Sequence, residues 1–228
     1  MNKSIAVILA KKESTRLPGK NFLKFNDKPI IDHSIKQIID SDLFGSLIVS
    51  TDNTSYTYSG KVDDIIITYY NRNKKNMKTN SSMYDALTEV LEIFGNGYYD
   101  YVCLVHACQP LLKAEYIVQA YEKLETNKYD TVIPACNIGG YIMHSTSDKI
   151  QLVDNKNYTT NTQGQKVQYY DNVGMFYWGK IDKLYKNKSV LCKNMGFIEL
   201  NKMECQDIDD ADDWEMALWK YKRMNYVF

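Results

Sequence analysis

Ile5-Ala-Val-Ile-Leu-Ala-Lys-Lys-Glu-Ser-Thr-Arg-Leu-Pro-Gly-Lys-Asn21 is an apolar run that empties into a basic, hydroxyl-bearing loop. Five consecutive apolar residues, Ile5 to Leu9, suit a strand buried on both faces, which is the habit of parallel sheets. Residues leaving the C-terminal end of such a strand line the crevice where α/β proteins hold ligands. Lys11, Lys12, Arg16 and Lys20 put four cations within ten positions, Ser14 and Thr15 add hydroxyls, and Gly19 lets the backbone approach a ligand closely. The spacing is not that of a Walker loop. Two readings therefore stand on the residues alone: a solvated basic loop, or a triphosphate-binding loop with Lys20 on the phosphates and Lys11 and Arg16 helping.

Outward from that loop the pattern alternates. Positions 28 to 43 carry Pro29 in a first turn and Ile30, Ile31, Ile35, Ile38, Ile39 and Leu43 on one face, which predicts a helix. A strand over 47–50 ends in the polar cluster Thr51-Asp52-Asn53, and 64–70 reads as another strand before a polar loop. From Ser81 as N-cap, Met83, Ala86, Leu87, Val90, Leu91 and Phe94 recur at helical spacing until Gly95. Strands at 101–105 and 131–135 bracket a helix over 113–125. This order predicts a single α/β domain over 1–228, Rossmann-like, with a mostly parallel sheet flanked by helices. Between 137 and 168 the periodicity loosens around Gly139-Gly140, as in a surface insertion or an arm that orders against a second copy. It returns at Met175-Phe-Tyr-Trp178 and in a last helix, capped by Asp210 or Asp212, whose face is Trp214, Ala217, Leu218, Tyr221 and Met224.

The chain has 228 residues, 44% of them hydrophobic, enough for one sizeable core. Its 28 basic and 28 acidic residues cancel, so it lacks the broad positive field of a nucleic-acid binder. The first apolar run is six residues long, too short for a signal-peptide core or a membrane span, which predicts a cytoplasmic protein with no membrane partner. Five cysteines with no Cys-x-x-Cys pair read as reduced, buried small hydrophobes. His33 and His144 read as structural.

Two further segments carry chemistry. In Gln206-Asp-Ile-Asp-Asp210, Asp207 and Asp209 flank an apolar residue and point the same way if the segment is extended. Such a pair suits Mg²⁺, or Mn²⁺, completed by water and phosphate oxygens; acidic residues ahead of a helix also cap it, and the residues alone leave both readings open. In the stretch from Asn161 to Trp178, Gln163, Asn172 and Gly174 could fix the hydroxyls and carboxylate of a sugar acid, while the aromatic run is a core strand.

The first loop, from Leu9-Ala10 to Leu17-Pro-Gly-Lys-Asn21, and the segment Glu204-Cys-Gln-Asp-Ile-Asp-Asp-Ala-Asp-Asp-Trp214 resemble signatures of the CMP-sialic acid synthetases, or acylneuraminate cytidylyltransferases. Ala107-x-x-Pro110-x-Leu112 and the Tyr169–Trp178 stretch are closer to the pseudaminic acid branch. The resemblance covers nearly the whole chain. It implies a nucleotide-diphospho-sugar transferase fold and an enzyme transferring CMP from CTP to an acidic nine-carbon sugar. It further implies metal on Asp207 and Asp209, and a homodimer formed through an inserted segment. It also implies that Ala10, Lys11, Ser14, Asn21, Arg72, Ser82 and His106 surround the nucleotide, with Lys20, Arg16 and Asp209 at the reaction.

This chain departs from the family at four places: Lys11 stands for an Arg, Thr15 for a Lys, His106-Ala-Cys-Gln-Pro110 for Gln-Pro-Thr-Ser-Pro, and Asn161 for the Arg of an Arg-x-Gln. Those losses leave room for a non-catalytic, nucleotide-binding dimeric scaffold, or for a transferase acting on another sugar. Retention of both Asp207 and Asp209 speaks for catalysis.

Overall fold

The computed structural model describes residues 3–78, 81–95, 97–140, 142–146, 149–153 and 170–225. The opening apolar run forms β1 (Ser4–Ala10), buried on both faces as the sequence predicts. A short hairpin, β2 (Lys24–Phe25) and β3 (Lys28–Pro29), leads into α1 (Ile30–Asp40). There follow β4 (Ser46–Thr51), β5 (Ile66–Asn71), α2 (Met83–Val90), β6 (Tyr101–His106), α3 (Ala114–Glu125) and β7 (Thr131–Asn137). A second hairpin, β8 (Met143–Thr146) and β9 (Lys149–Leu152), precedes β10 (Tyr170–Asn172), β11 (Phe176–Lys180), α4 (Ile181–Asn187), β12 (Met195–Leu200) and α5 (Ala211–Asn225).

Strands β6, β1, β4 and β5 lie parallel and in that order, with Leu9 opposite His106 and Ala10 opposite Thr51. Their C-terminal ends therefore share one edge. After β7 the chain makes an excursion and returns from the other end, so β11 runs antiparallel between β6 and β7, and β10 antiparallel along β7. The β12 strand closes the sheet, parallel to β7. Helices cover both faces: Ile31, Ile35 and Ile38 of α1 join Ile117, Ala120 and Leu124 of α3 in one core layer, and Leu87 and Val90 of α2 join Leu184 of α4 in the other.

A third cluster matters most for function. Ile208 and Ala217 are fully buried against Phe25 and Ile30, with Leu17 and Trp214 packed around them. Burying Ile208 is worth about 1.5–3 kcal/mol, and it docks the C-terminal segment onto the base of the first loop. The aspartates on either side of Ile208 are thereby carried to that loop.

Several boundaries differ from the sequence reading. The first helix begins at Ile30 and ends at Asp40, because Lys28 and Pro29 pair with β2 and Asp42 adopts positive φ. Ser82, rather than Ser81, caps α2: its Oγ accepts from the Asp85 amide at 3.1 Å, and the Asp85 carboxylate accepts from the Ser82 amide, a reciprocal box Ser81 cannot make with Tyr84 three positions on. The loose stretch after 137 contains the β8–β9 hairpin, and α4 and β12 are elements the periodicity did not reveal. All five cysteines are buried and free, and His33 is a buried ring against the Phe25 carbonyl, held neutral by burial with its pKa down to about 4. His144 lies in β8. Among the described residues no helix is long and apolar enough to cross a membrane.

Candidate active site

The shared edge of β1, β4 and β6 opens into a cleft of about 260 Å³. The first loop gives it Lys11, Ser14, Lys20 and Asn21, the residue after β5 gives Arg72, the N-cap of α2 gives Ser82, β6 gives His106, and the C-terminal segment gives Asp207. Residues remote in sequence thus line one wall-to-wall space. Ala10 sits at the end of β1 with its side chain in the core, so only its backbone borders the loop.

Opposite charges meet across the cleft mouth. Lys20 Nζ lies 3.1 Å from Asp209 Oδ1 and also donates to the Ile208 carbonyl, while Arg16 Nη2 reaches the same carboxylate oxygen at 2.7 Å. Partial burial raises the carboxyl pKa of Asp209, but Lys20 and Arg16 outweigh it and hold the group below the usual range. Asp207 is the reverse case. It keeps a solvent-facing edge, yet desolvation on its inner side and then the charge of Asp209 raise its pKa. Asp210 and Asp213 do what acidic residues before a helix commonly do: Asp213 N bonds Asp210 Oδ1, and Asp213 Oδ2 accepts from the amides of Asp209 and Asp210.

Gly174 packs against Asp207. Its φ is +60°, and a Cβ there would lie 3.1 Å from Asp207 Oδ2. The turn is held by Asn172, whose Oδ1 accepts from the Gly174 amide and whose Nδ2 donates to the Tyr177 hydroxyl. Asn172 and Gly174 therefore stand on the carboxylate side of the cleft, without lining it. Gln163 lies outside the described residues.

On the other side, Arg72 is buried to 5% exposure, its Nε bonded to Ser50 Oγ and its Nη2 to the Ser50 carbonyl. Lys11 is held on the Lys78 carbonyl at 2.8 Å, with its pKa lowered first by burial and then by Arg72. Asn21 donates to the Lys11 carbonyl and Lys12 N bonds Asp52 Oδ1, so the first loop is tied both to itself and to the polar end of β4. The sequence gives no sign of what holds the Arg72 segment: Glu89, on the inner face of α2, accepts from the Tyr70 hydroxyl, the Asn73 amide and Asn76 Nδ2. Glu89 falls in a helical pattern where only burial distinguishes it from a solvent-facing acid.

A second cavity of about 430 Å³ lies behind the aspartates, sharing Asp207 and Asp209 with Lys202 and Lys220 on its far side. Asp207 is thus common to the two spaces, while Asp209 lines the second. Among the described residues no group of three or more His, Cys, Asp or Glu is placed to hold a metal ion. The donors at the cleft are the two carboxylates of Asp207 and Asp209. They fit a hard cation of the Mg²⁺ type, which takes one or two carboxylates and fills its remaining positions with water and substrate phosphate. The two adjacent carboxylates, one with its charge disfavoured by the other, are consistent with that occupant.

An α/β sheet with a basic loop leaving its first strand and paired carboxylates across the cleft defines a nucleotidyltransferase-type architecture. The whole fold is shared with a CMP:2-keto-3-deoxy-manno-octonic acid synthetase complexed with CTP (TM-score 0.68, 17% identity, 97% of this chain and 99% of that one). It is shared as well with the 2-C-methyl-D-erythritol 4-phosphate cytidylyltransferase of Francisella tularensis (TM-score 0.65, 17% identity, 95% and 99%). The chain belongs to the cytidylyltransferase family, whose pattern it matches over residues 5–208. It is 27% identical over 231 residues to the pseudaminic acid cytidylyltransferase of Campylobacter jejuni strain 81-176, spanning 96% of this chain and 97% of that protein. It is 25% identical to the N-acylneuraminate cytidylyltransferase of Escherichia coli O18:K1:H7, over 98% of this chain and 53% of that protein.

Proposed function

We propose that this cytidylyltransferase transfers CMP from CTP to a nonulosonic acid of the sialic or pseudaminic type, giving the CMP-sugar and pyrophosphate. The observation that carries the reading is the pairing of Lys20 and Arg16 with Asp209 at the mouth of a cleft that also holds Arg72 and Lys11. A triphosphate needs several cations from different directions: Lys11 and Lys20 line the cleft, and Arg16 joins them through Asp209.

Asp207 and Asp209 would hold Mg²⁺ or Mn²⁺, which when bound polarises the α-phosphate and acidifies the attacking hydroxyl. The chain's own residues do the rest. Lys20 and Arg16 meet the charge that develops on the departing pyrophosphate. Arg72, fixed on Ser50, and Ser82 at the start of α2 face the nucleoside end, and Asn21 keeps the first loop in register with it. His106 stays neutral because burial, with Lys20 beside it, lowers its pKa to about 4. It therefore adds a polar contact to the cleft without adding charge.

The protein works in the cytoplasm as a homodimer in this reading, with the β8–β9 hairpin, which exposes Met143 and Ile150, against the second copy. The test is pyrophosphate release from CTP and Mg²⁺ with pseudaminic acid and with N-acetylneuraminic acid. Release with either acid is the expected result. CTP binding with no release from any nonulosonic acid would leave a nucleotide-binding scaffold in its place.

A further inference from the structure

The cleft contains two buried polar atoms that the fold leaves without partners. Gln109 is 1% exposed and lines the cleft, yet its Oε1 has no hydrogen-bond partner among the described residues. Three positions earlier, at the end of β6, His106 Nε2 is also buried, also unpartnered among the described residues, and also on the cleft. The amide of Gln109 is not free to turn: its Nε2 donates to the Gly174 carbonyl at 3.0 Å, which fixes the oxygen as the orphaned atom. A buried acceptor left unpaired costs about 1–3 kcal/mol, and native proteins rarely leave one so. A residue needed only to fill this space between apolar neighbours could be Leu or Met at no such cost.

We infer that Gln109 is a specificity-determining residue whose Oε1 accepts a hydrogen bond from a neutral donor of the acidic sugar, a hydroxyl or an amide N–H. The inference rests on the proposed function and deepens it. Three observations support it. The amide oxygen can only accept, so the matching ligand atom must carry a hydrogen; a carboxylate or phosphate oxygen would be repelled. Gln109 is bonded to the Gly174 turn that packs against Asp207, which places it at the carboxylate end of the cleft, whereas Arg72 and Ser82 stand at the α2 end. His106, neutral and resting edge-on against Tyr177, offers a second uncharged contact beside it.

The test compares wild type, Gln109→Met and Gln109→Asn in pyrophosphate release with pseudaminic acid and N-acetylneuraminic acid, alongside calorimetric binding of CTP alone. Met keeps the side-chain length and removes the acceptor together with the Nε2 donor to the Gly174 carbonyl, so the Asn comparison, which keeps an amide, is needed to separate the two. Asn keeps the amide, withdraws its oxygen by one methylene, and remains informative where the Met variant fails to fold. The expected result is a fall of about tenfold or more in kcat/KM for the sugar acid in the Met variant, a smaller fall in the Asn variant, and CTP affinity within about twofold of wild type. Unchanged sugar kinetics in a folded variant overturn the inference. So does a parallel loss of CTP affinity, which would assign the acceptor to the nucleotide instead. A wild type that turns over neither acid defeats the proposed function itself, a result distinct from either of these.

Discussion

Lys20 Nζ and Asp209 Oδ1, 189 positions apart in sequence, lie 3.1 Å from each other at the mouth of the cleft. The contact exists because Ile208 is buried beneath the first loop, and Arg16 joins it at 2.7 Å. The carboxylate is counter-ion to the cations that a triphosphate would engage. Ligand entry then exchanges partners instead of bringing charges together from solvent, which keeps the reorganisation small.

Asp209→Asn separates these roles. The amide retains the shape and loses the charge, so pyrophosphate release should fall by at least about a hundredfold as the metal seat and charge balance are lost. CTP binding without metal should hold or tighten, because Lys20 and Arg16 lose their internal competitor. Calorimetry and a turnover assay on the same preparation check both. Turnover near the wild-type rate would remove Asp209 from the chemistry.

Asp207 should show itself in pH dependence. Its folded-state pKa is raised, by desolvation and by Asp209, so the ionised form opposes folding. Stability associated with its protonated form is present below the unfolded value of about 3.9 and is lost as pH rises through the higher folded value. Asp207→Asn should therefore melt at the same temperature as wild type in acid and above it at neutral pH, while turnover collapses. Thermal melts across a pH series measure the first effect. Parallel curves for the two proteins would mean that Asp207 is not strained by its neighbour.

Gly174→Ala tests the floor beneath that carboxylate. A non-glycine residue at φ +60° costs about 1–2 kcal/mol, and the new methyl would press on Asp207 Oδ2 at 3.1 Å. The expected outcome is a lower melting temperature together with a weaker dependence of rate on Mg²⁺ concentration. A loss of stability alone, with the Mg²⁺ titration unmoved, would make the glycine a matter of backbone conformation only.

The β8–β9 hairpin exposes Ile150 to 70% and Met143 to 58%. Such apolar side chains on one face of a two-stranded ribbon are poorly stabilised in isolation. Ile150→Glu should shift sedimentation from dimer toward monomer, with the cleft intact and CTP still bound. A wild type that sediments as a monomer at micromolar concentration would withdraw the dimer.

The sequence made some of this legible and hid the rest for physical reasons. β1 and α2 are written plainly, since a strand buried on both faces is continuously apolar and an amphipathic helix repeats every three to four residues. β12 is not legible in the sequence because Met195 and Phe197 on its exposed face are as apolar as Ile198 and Leu200 on its buried one, which erases the period of two. Asp207, Asp209 and Lys20 stood out by charge and by resemblance, but what brings them together is the burial of Ile208, a long-range contact. Glu89 and Gln109 were invisible, because an acid in a helix and an amide in a loop look solvent-facing until tertiary structure encloses them.

Glu89 is the residue whose removal should most clearly split binding from chemistry. Partial burial raises its pKa, but the Tyr70 hydroxyl, the Asn73 amide and Asn76 Nδ2 together lower it more, so it is ionised at neutral pH and anchors the segment carrying Arg72. Glu89→Gln keeps the size but turns one of two acceptor oxygens into a donor facing donors. With about 1–3 kcal/mol lost per buried group left unpaired, KM for CTP should rise by roughly five- to a hundredfold. The saturated rate should change much less, because Lys20, Arg16 and the aspartates are untouched. Steady-state kinetics with CTP varied at saturating sugar acid and Mg²⁺ measure the split. Equal falls in kcat and kcat/KM would mean that the loop serves the reaction itself, and an unchanged KM would mean that Arg72 holds its place on Ser50 without Glu89.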